Sequence, residues 1–265
     1  ISQYKKLKTY IKRKSEYYIP KKSEIFTREE INKFLHDAPN DMFLMMKVVF
    51  VIGISGACRS CELVQLELSQ IKFLEDFITI NIPNTKNNVQ RTFFITNEVG
   101  LYNFKQIFQQ YINLRPKHTK HPRLLVGYNH GKCNIQPVGI NTISKIPSRI
   151  AKYLKKDNFQ RYTGHAFRRT SASLLANEGG DLIQVKKHGG WKSSTVAEGY
   201  IERSMAAKQN TAQLILQGQP HFSANQSLPS TSTSSNSNLT LNKSSNQPFI
   251  TNANNCNITI NIYNK

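Results

Sequence analysis

The stretch TGHAFRRTSASLLANEGGDLIQVKKHGGWKSSTVAEGY, residues 163–200, contains the most informative arrangement of side chains in the sequence. His165 and Arg168 are three residues apart, so on a helix both would lie on one face and could contact the same ligand. They would offer that ligand a proton acceptor and a planar cation. A Gly-Gly pair then precedes Trp191, and Tyr200 follows nine residues later.

The chain is strongly basic. Its 265 residues include 36 Lys and Arg against 16 Asp and Glu, which gives a formal charge of +20. Only two lysines and no acids follow residue 220, so nearly all of this excess lies in the first 220 residues. A globular region with such an excess predicts a polyanion or a membrane surface as its partner, and nucleic acid is the first candidate. No run approaches the ~18 apolar residues of a membrane span, so no membrane partner is predicted.

The cysteines do not predict a disulfide framework, because four scattered residues are too few, and they fit a reducing compartment. Cys58 and Cys61 have the C-x-x-C spacing of half a zinc site or of a redox motif, but no partner pair accompanies them. A second group has spacings that a metal could use: His118, His121, His130 and Cys133. Gly, Pro and Asn cross that segment around an aliphatic strand, LLVGY, so a solvated loop is favoured over a zinc site there. We therefore predict no metal and no cofactor.

Several segments predict secondary structure before residue 163. Thr27 and Glu30 form a capping box, and a buried helix follows through residues 42–52. Residues 77–82 and 90–96 alternate like strands around NTKNN, which predicts a hairpin with Lys86 at its tip. Two further helices are predicted at 98–114 and 139–156. After residue 163, we expect Ser193 or Ser194 to cap the helix that carries Tyr200, and residues 205–217 to be helical.

A second polar motif lies between the buried helix and the hairpin. Gly53-Ile54-Ser55-Gly56 breaks the chain, and Ala57-Cys58-Arg59-Ser60-Cys61-Glu62-Leu63 leads into a short helix. An arginine after a glycine is by itself weak evidence, and Arg59 alone could be a surface helix residue. Its position upstream of the hairpin and of the His165–Tyr200 stretch is what makes it informative.

Taken in chain order, these residues resemble the active site of the tyrosine recombinases, the phage integrase family. The runs Tyr162–Arg169 and His188–Ser194 are most similar to the recombinases of eukaryotic Crypton-type transposons. The resemblance implies an α+β fold that is mainly helical with a small antiparallel sheet. It also implies that the chain binds double-stranded DNA and assembles as dimers and tetramers, exchanging C-terminal segments. The implied catalytic residues are Arg59, Lys86, His165, Arg168, Trp191 and the nucleophile Tyr200, with Glu62 as a carboxylate near Arg59.

Physical chemistry supports these roles. Cleaving a phosphodiester requires a nucleophile in line, cations on the non-bridging oxygens and a proton for the leaving oxygen. Tyrosine can form a covalent intermediate, and because a phenol keeps its proton at neutral pH, a base such as His165 should help to remove it. Arg59 and Arg168 match the oxygens of a phosphate, Trp191 offers one N–H, and Lys86 can act as the general acid. The expected reaction is strand cleavage and rejoining through a 3′-phosphotyrosine, in the integration of a mobile element.

Composition divides the chain into four regions. Residues 1–26 are basic and are expected to be either a DNA-contacting arm, the trailing edge of a missing N-terminal DNA-binding domain, or a solvated helix face. Lys12-Arg13-Lys14 is a candidate nuclear-import signal, so a nuclear location is expected. Residues 27–218 would be the catalytic domain, and the Ser/Thr/Asn-rich segment 219–255 a disordered linker. Residues 256–265 alternate like a strand, which would either pair with another chain or stay disordered.

Two other functions are compatible with the sequence. A type IB topoisomerase shares this chemistry but would relax supercoils without site preference. A domesticated protein could retain the fold and bind DNA without cleaving it. The complete set of six residues argues against the second, since a binder has no need of Tyr200.

Overall fold

The computed structural model describes residues 4–16, 21–83, 90–99 and 102–217. All of them lie in one unit, Ile1–Gln219. Lys86, the linker 219–255 and the candidate strand 256–265 lie outside the described residues.

The described part of the chain is mainly helical with a small antiparallel sheet, so the predicted fold class is confirmed. Its helices are α1 (Lys5–Ser15), α2 (Arg28–Asp37), α3 (Asn40–Ser55), α4 (Ser60–Gln65), α5 (Phe104–Asn113), α6 (Ile140–Tyr153), α7 (Ala166–Asn177), α8 (Leu182–Gly189), α9 (Thr195–Ile201) and α10 (Met205–Gln217). Single 3₁₀ turns occur at Leu68–Gln70 and Phe159–Arg161. None of these helices is long and apolar enough to cross a membrane.

The core is built around α3, which is buried on almost every side. α3 packs against α7, where the rings of Phe50 and Phe167 meet edge to face with centroids 5.5 Å apart. A Cβ on Gly53 would lie 2.6 Å from Phe167 Cδ2, so a glycine is required for this close approach. The crossing therefore holds the first turns of α7 against the C-terminal end of α3, next to the turn that leads to Arg59.

The sheet has the order β1 (Ile71–Phe73), β2 (Phe77–Ile82), β3 (Arg91–Thr96), with both pairings antiparallel. The hairpin strands predicted at 77–82 and 90–96 are confirmed, with β3 beginning at Arg91. Phe93 and Ile95 are buried, and their alternation places Arg91 on the same inner face, paired with Ile82. β1 was not predicted, because three residues are too few to show a period.

The prediction of a helix over 98–114 is wrong for Glu98–Val99 and for Tyr102–Asn103. Glu98–Val99 (β4) pairs with Tyr102–Asn103 (β5), and α5 begins only at Phe104. Asn103 accounts for the late start, because its side chain accepts a 2.7 Å hydrogen bond from the Gln106 N–H and so caps the helix. The helix predicted at 139–156 is confirmed as α6, somewhat shorter at both ends.

The strand predicted at LLVGY is confirmed in part, since a strand begins at Val126, and the loop predicted after it is wrong where a second strand forms. Val126–Asn129 (β6) and Lys132–Pro137 (β7) form a hairpin. His130 and Gly131 make its turn, with φ of 43° and 73°, the left-handed conformations that a two-residue hairpin turn requires. Among the described residues, no group of three or more His, Cys, Asp or Glu could hold a metal ion.

Candidate active site

Arg59 immediately precedes α4, and the buried carboxylate of Glu62 fixes it there. Glu62 accepts hydrogen bonds from the Arg59 backbone N–H at 2.8 Å and from its guanidinium at 2.6 Å. The Glu62 side chain is 1% exposed and that of Arg59 is 18% exposed. A buried carboxylate at the third helix position thus both caps α4 and orients the arginine.

A second arginine shares this carboxylate and was missed by the sequence interpretation. Arg91 of β3 contacts Glu62 Oε2 at 2.9 Å and donates to the backbone oxygen of His188 at 3.0 Å. Its Nε is buried and has no hydrogen-bond partner among the described residues. The alternation of Phe93 and Ile95 was the available signal, since it places Arg91 on the buried face.

Arg168 lies in the first turn of α7 and is almost fully buried. Its guanidinium donates to the Ala57 carbonyl oxygen at 2.9 Å and also to the carbonyl oxygen of Gly189. Burial, followed by the nearby positive charge of Arg59, lowers the pKa of Arg168 to about 10. It therefore remains a cation at neutral pH, and two of its five N–H donors are accounted for by these carbonyls.

The C-terminal turn of α8 closes the site from the other side. Gly190 has φ 60°, its N–H bonds to the Lys187 oxygen, and the Trp191 N–H bonds to the Lys186 oxygen. This is the Schellman arrangement, which satisfies two of the last helix carbonyls. The next two carbonyls also accept hydrogen bonds, that of His188 from Arg91 and that of Gly189 from Arg168. The negative end of α8 is thus neutralised by two guanidiniums of the site.

Trp191 joins Arg168 to Tyr200. Arg168 Cζ lies 4.6 Å from the centre of the indole, a cation–π distance, and the indole stacks with the Tyr200 ring at 5.5 Å and 28°. A Cβ on Gly189 would overlap the indole, so the glycine is needed for Trp191 to lie there. Tyr200 itself is half-buried on α9.

The predicted cap of α9 by Ser193 or Ser194 is only partly correct. Ser194 occupies the capping position without a side-chain hydrogen bond. Ser193 Oγ accepts instead from the Thr195 N–H at 3.3 Å.

The His165 side chain makes no hydrogen bond or ring contact with this network among the described residues. His165 precedes α7 rather than lying within it, and it is exposed, whereas Arg168 is buried. That His165 and Arg168 contact the same ligand stays a prediction. Lys86 lies outside the described residues.

A histidine that was not predicted, His188, lies behind the arginines. Its Nε2 is 2.6 Å from Ser171 Oγ, and its side chain is largely buried. Burial first, and then the charges of Arg91 and Arg168, lower the pKa of His188 to about 4. The imidazole is therefore neutral at physiological pH.

The candidate zinc ligands Cys58 and Cys61 do not act as a pair. Cys58 is buried in the core, whereas Cys61 is exposed. Burial is the main reason that the pKa of the Cys58 thiol is raised, to about 12, which opposes the thiolate form that zinc binds.

A cavity of about 430 Å³ opens beside the arginines. Its lining includes Arg59, Arg91, Lys186, Lys187, Trp191 and Lys192, and none of its described lining residues is acidic. Tyr200 lines two other clefts, in both of which Arg169 and Arg203 are neighbours. With three guanidiniums around one carboxylate, the site carries excess positive charge suited to an anion such as a phosphodiester.

Comparison with known proteins places this geometry in a family. The model of the phage integrase family matches residues 24–207. Similar solved structures include XerH recombinase bound to its palindromic difH substrate, at 19% identity and a TM-score of 0.55 over 73% of this chain and 53% of that chain. They also include XerA recombinase, at 18% identity, a TM-score of 0.57, and 78% and 67% coverage of the two chains. The Tn1549 transposon integrase bound to transposon right end DNA is similar at 18% identity and a TM-score of 0.55, with 76% and 68% coverage.

These similarities concern a part of larger proteins. The chain spans just over half the length of the XerH chains that it matches. No curated protein gives a significant match. Since the family model covers more than half of the sequence and the fold agrees, the chain belongs to the phage integrase family and has the tyrosine recombinase catalytic fold.

Proposed function

We propose that this protein cleaves and rejoins DNA strands through a covalent 3′-phosphotyrosine on Tyr200, in site-specific recombination. The observation that carries the proposal is the stack of Tyr200 on Trp191, which in turn lies over the buried guanidinium of Arg168. A tyrosine, an indole N–H and an oriented arginine therefore lie next to one another. A domain that only binds DNA has no need of this arrangement.

In the proposed reaction, the scissile phosphate binds between Arg59 and Arg168. Each guanidinium is already held by protein acceptors, Glu62 for Arg59 and the Ala57 and Gly189 carbonyls for Arg168. Their remaining N–H groups are free to donate to the two non-bridging oxygens, on which negative charge increases in the transition state. Preorganised donors of this kind are typically worth about 10²- to 10³-fold in rate each.

Bond making and breaking then balance around phosphorus. The Tyr200 hydroxyl oxygen attacks as its proton passes to His165, and the P–O5′ bond breaks as Lys86 donates a proton to the leaving oxygen. The reverse sequence, with a 5′-hydroxyl as nucleophile, rejoins the strand and releases Tyr200. Because the phosphotyrosine retains the phosphodiester bond energy, no nucleotide cofactor is needed.

The biological setting is part of the same proposal. The XerH and Tn1549 integrase structures are of proteins bound to DNA, and the high positive charge of this chain supports double-stranded DNA as its partner. We propose assembly as dimers and tetramers on that DNA. Origin in a Crypton-type mobile element and a nuclear location are supported by the runs Tyr162–Arg169 and His188–Ser194 and by Lys12-Arg13-Lys14.

The test is covalent trapping on a randomised library of nicked duplexes that contain a bridging phosphorothiolate. The wild type should give denaturation-resistant adducts, and Tyr200→Phe should give none while binding the library equally well. Tyr153→Phe, at a half-buried tyrosine of α6, is the matched control and should form adducts normally. Binding without any adduct, unchanged by Tyr200→Phe, would instead identify a DNA-binding protein that has lost catalysis.

A further inference from the structure

The side chain of Arg91 connects three elements of the candidate site. It extends from β3, contacts the Glu62 carboxylate of α4 at 2.9 Å, and donates to the His188 carbonyl oxygen of α8 at 3.0 Å. Its side chain is 12% exposed, and it lines the cavity beside Arg59. No catalytic step of the proposed reaction uses it.

Through Glu62, Arg91 acts on Arg59. One carboxylate oxygen, Oε1, accepts from the Arg59 guanidinium, and the other, Oε2, accepts from both Arg91 and the Arg59 backbone N–H. A carboxyl group bound at both oxygens has no freedom to rotate. Without Arg91, the Glu62 carboxylate, whose side chain is 1% exposed, would lose one of its side-chain contacts. The orientation of the Arg59 guanidinium, which Glu62 holds, would then be less defined.

Through the His188 carbonyl, Arg91 also acts on Arg168 and Trp191. The carbonyls of His188 and Gly189 are consecutive, and they are the two that the Schellman turn leaves without a backbone N–H. Arg91 donates a hydrogen bond to the His188 carbonyl, and Arg168 donates one to the Gly189 carbonyl. The position of this turn also determines where the indole lies over Arg168, so a shift at His188 would be transmitted to Trp191.

We propose that Arg91 is a positioning residue of the cleavage reaction, which holds Arg59 through Glu62 and holds Arg168 and Trp191 through the end of α8. This inference rests on the proposed function. A lysine cannot replace Arg91, because a single ammonium lacks the planar fork that spans the carboxylate and the carbonyl at once.

The decisive variant is Arg91→Lys, measured on duplexes recovered by the covalent trapping. Because the charge is kept, DNA affinity should stay within about threefold of the wild type. The rate of adduct formation at saturating DNA should fall about 10- to 100-fold, the effect of a small misplacement of catalytic groups. Arg149→Lys, at an exposed arginine of α6, is the matched control and should leave both quantities unchanged.

A double-mutant cycle separates positioning from direct contact with DNA. Because Arg91 and Glu62 share one contact, Arg91→Lys combined with Glu62→Gln should lose less rate than the product of the two single losses; the part that remains additive is the separate contact of Arg91 with the His188 carbonyl. Fully multiplicative rate losses would show that Arg91 does not act through Glu62, and would overturn the proposal. If Arg91→Lys does not fold, Glu62→Asp, which shortens the shared carboxylate by one methylene, should show the same loss of rate at retained affinity.

An independent readout keeps this inference distinguishable from the proposed function. Trp191 is the single tryptophan of the sequence, so its fluorescence reports on the turn without any reaction. Arg91→Lys should shift its emission and increase its quenching by iodide, whereas Arg149→Lys should do neither. If the wild type forms no adduct, the proposed function fails, but this spectroscopic comparison still decides whether Arg91 holds the turn at the end of α8 and the indole of Trp191. Unchanged emission and quenching in Arg91→Lys would refute it.

Discussion

The half-buried histidine of the site, His188, should make the stability of the protein depend on pH in a specific way. His188 is held by Ser171 and faces the guanidiniums of Arg91 and Arg168, so its protonated form is disfavoured in the folded state. Burial and these charges lower its pKa from 6.5 to about 4. In the unfolded chain the imidazole takes up a proton near pH 6.5, whereas in the folded protein it does so only near pH 4. Between these values the unfolded state binds one more proton, so folding stability falls as the pH falls.

The size of the effect follows from linkage. One proton of difference changes the free energy of unfolding by about 1.4 kcal/mol per pH unit, so the full interval corresponds to roughly 3 kcal/mol. Above about pH 6.5 both states carry a neutral imidazole, and His188 adds no pH dependence there. The contribution is complete at neutral pH and is lost on acidification to the folded-state pKa.

The measurement is urea denaturation of the wild type and of His188→Gln at several pH values between 7 and 4.5. Other groups titrate in both proteins, so the difference between them isolates His188. The wild type should lose about 2–3 kcal/mol more than the variant over this range. His118→Gln, at an exposed histidine, controls for the removal of an imidazole. If the free energies of unfolding of the wild type and His188→Gln fall in parallel as the pH falls, the argument that burial and the arginines keep His188 neutral in the folded state is refuted.

Two further outcomes follow from the structure. Gly190→Ala should lower the free energy of unfolding by about 1–2 kcal/mol in urea denaturation, because Gly190 has φ 60° in the turn that ends α8. Gly139→Ala is the control and should lower it much less, since a Cβ added at Gly139 would meet nothing within 4 Å. Because the chain carries a net charge of +20, the logarithm of its binding constant for duplex DNA should fall linearly with the logarithm of the salt concentration, with a slope that corresponds to several phosphate contacts. An affinity that does not change between low and physiological salt would contradict a phosphate-binding surface.

The sequence predicted the elements with a clear period and missed the contacts that connect them. The alternation in 77–82 and 90–96 and the capping box at Thr27 are local patterns, and the structure contains them as expected. The late start of α5 depends on the side chain of Asn103, and the pairing of β4 with β5 contradicts a helical period that continues through both. Local propensity was overridden there by a strand pairing of only two residues on each side.

The candidate site shows the same division. The resemblance implies Arg59, Glu62, Arg168, Trp191 and Tyr200 as site residues, and the structure joins Arg59 to Glu62 and Arg168 to Trp191 and Tyr200. Arg91 and His188 were missed because their partners are 29 and 17 residues away in sequence. Spacing along the chain gives no information about such contacts. The strand alternation around Phe93 indicated that Arg91 points inward, but only the fold shows that it meets Glu62.

The central claim is that Tyr200 becomes covalently attached to a DNA 3′ end. The direct measurement is mass spectrometry of the trapped adduct after protease and nuclease digestion. We expect the nucleotide mass on the peptide that contains Tyr200, attached through a 3′-phosphate, with no modified peptide in Tyr200→Phe. Attachment to another residue, or a 5′-phosphate linkage, would contradict the account.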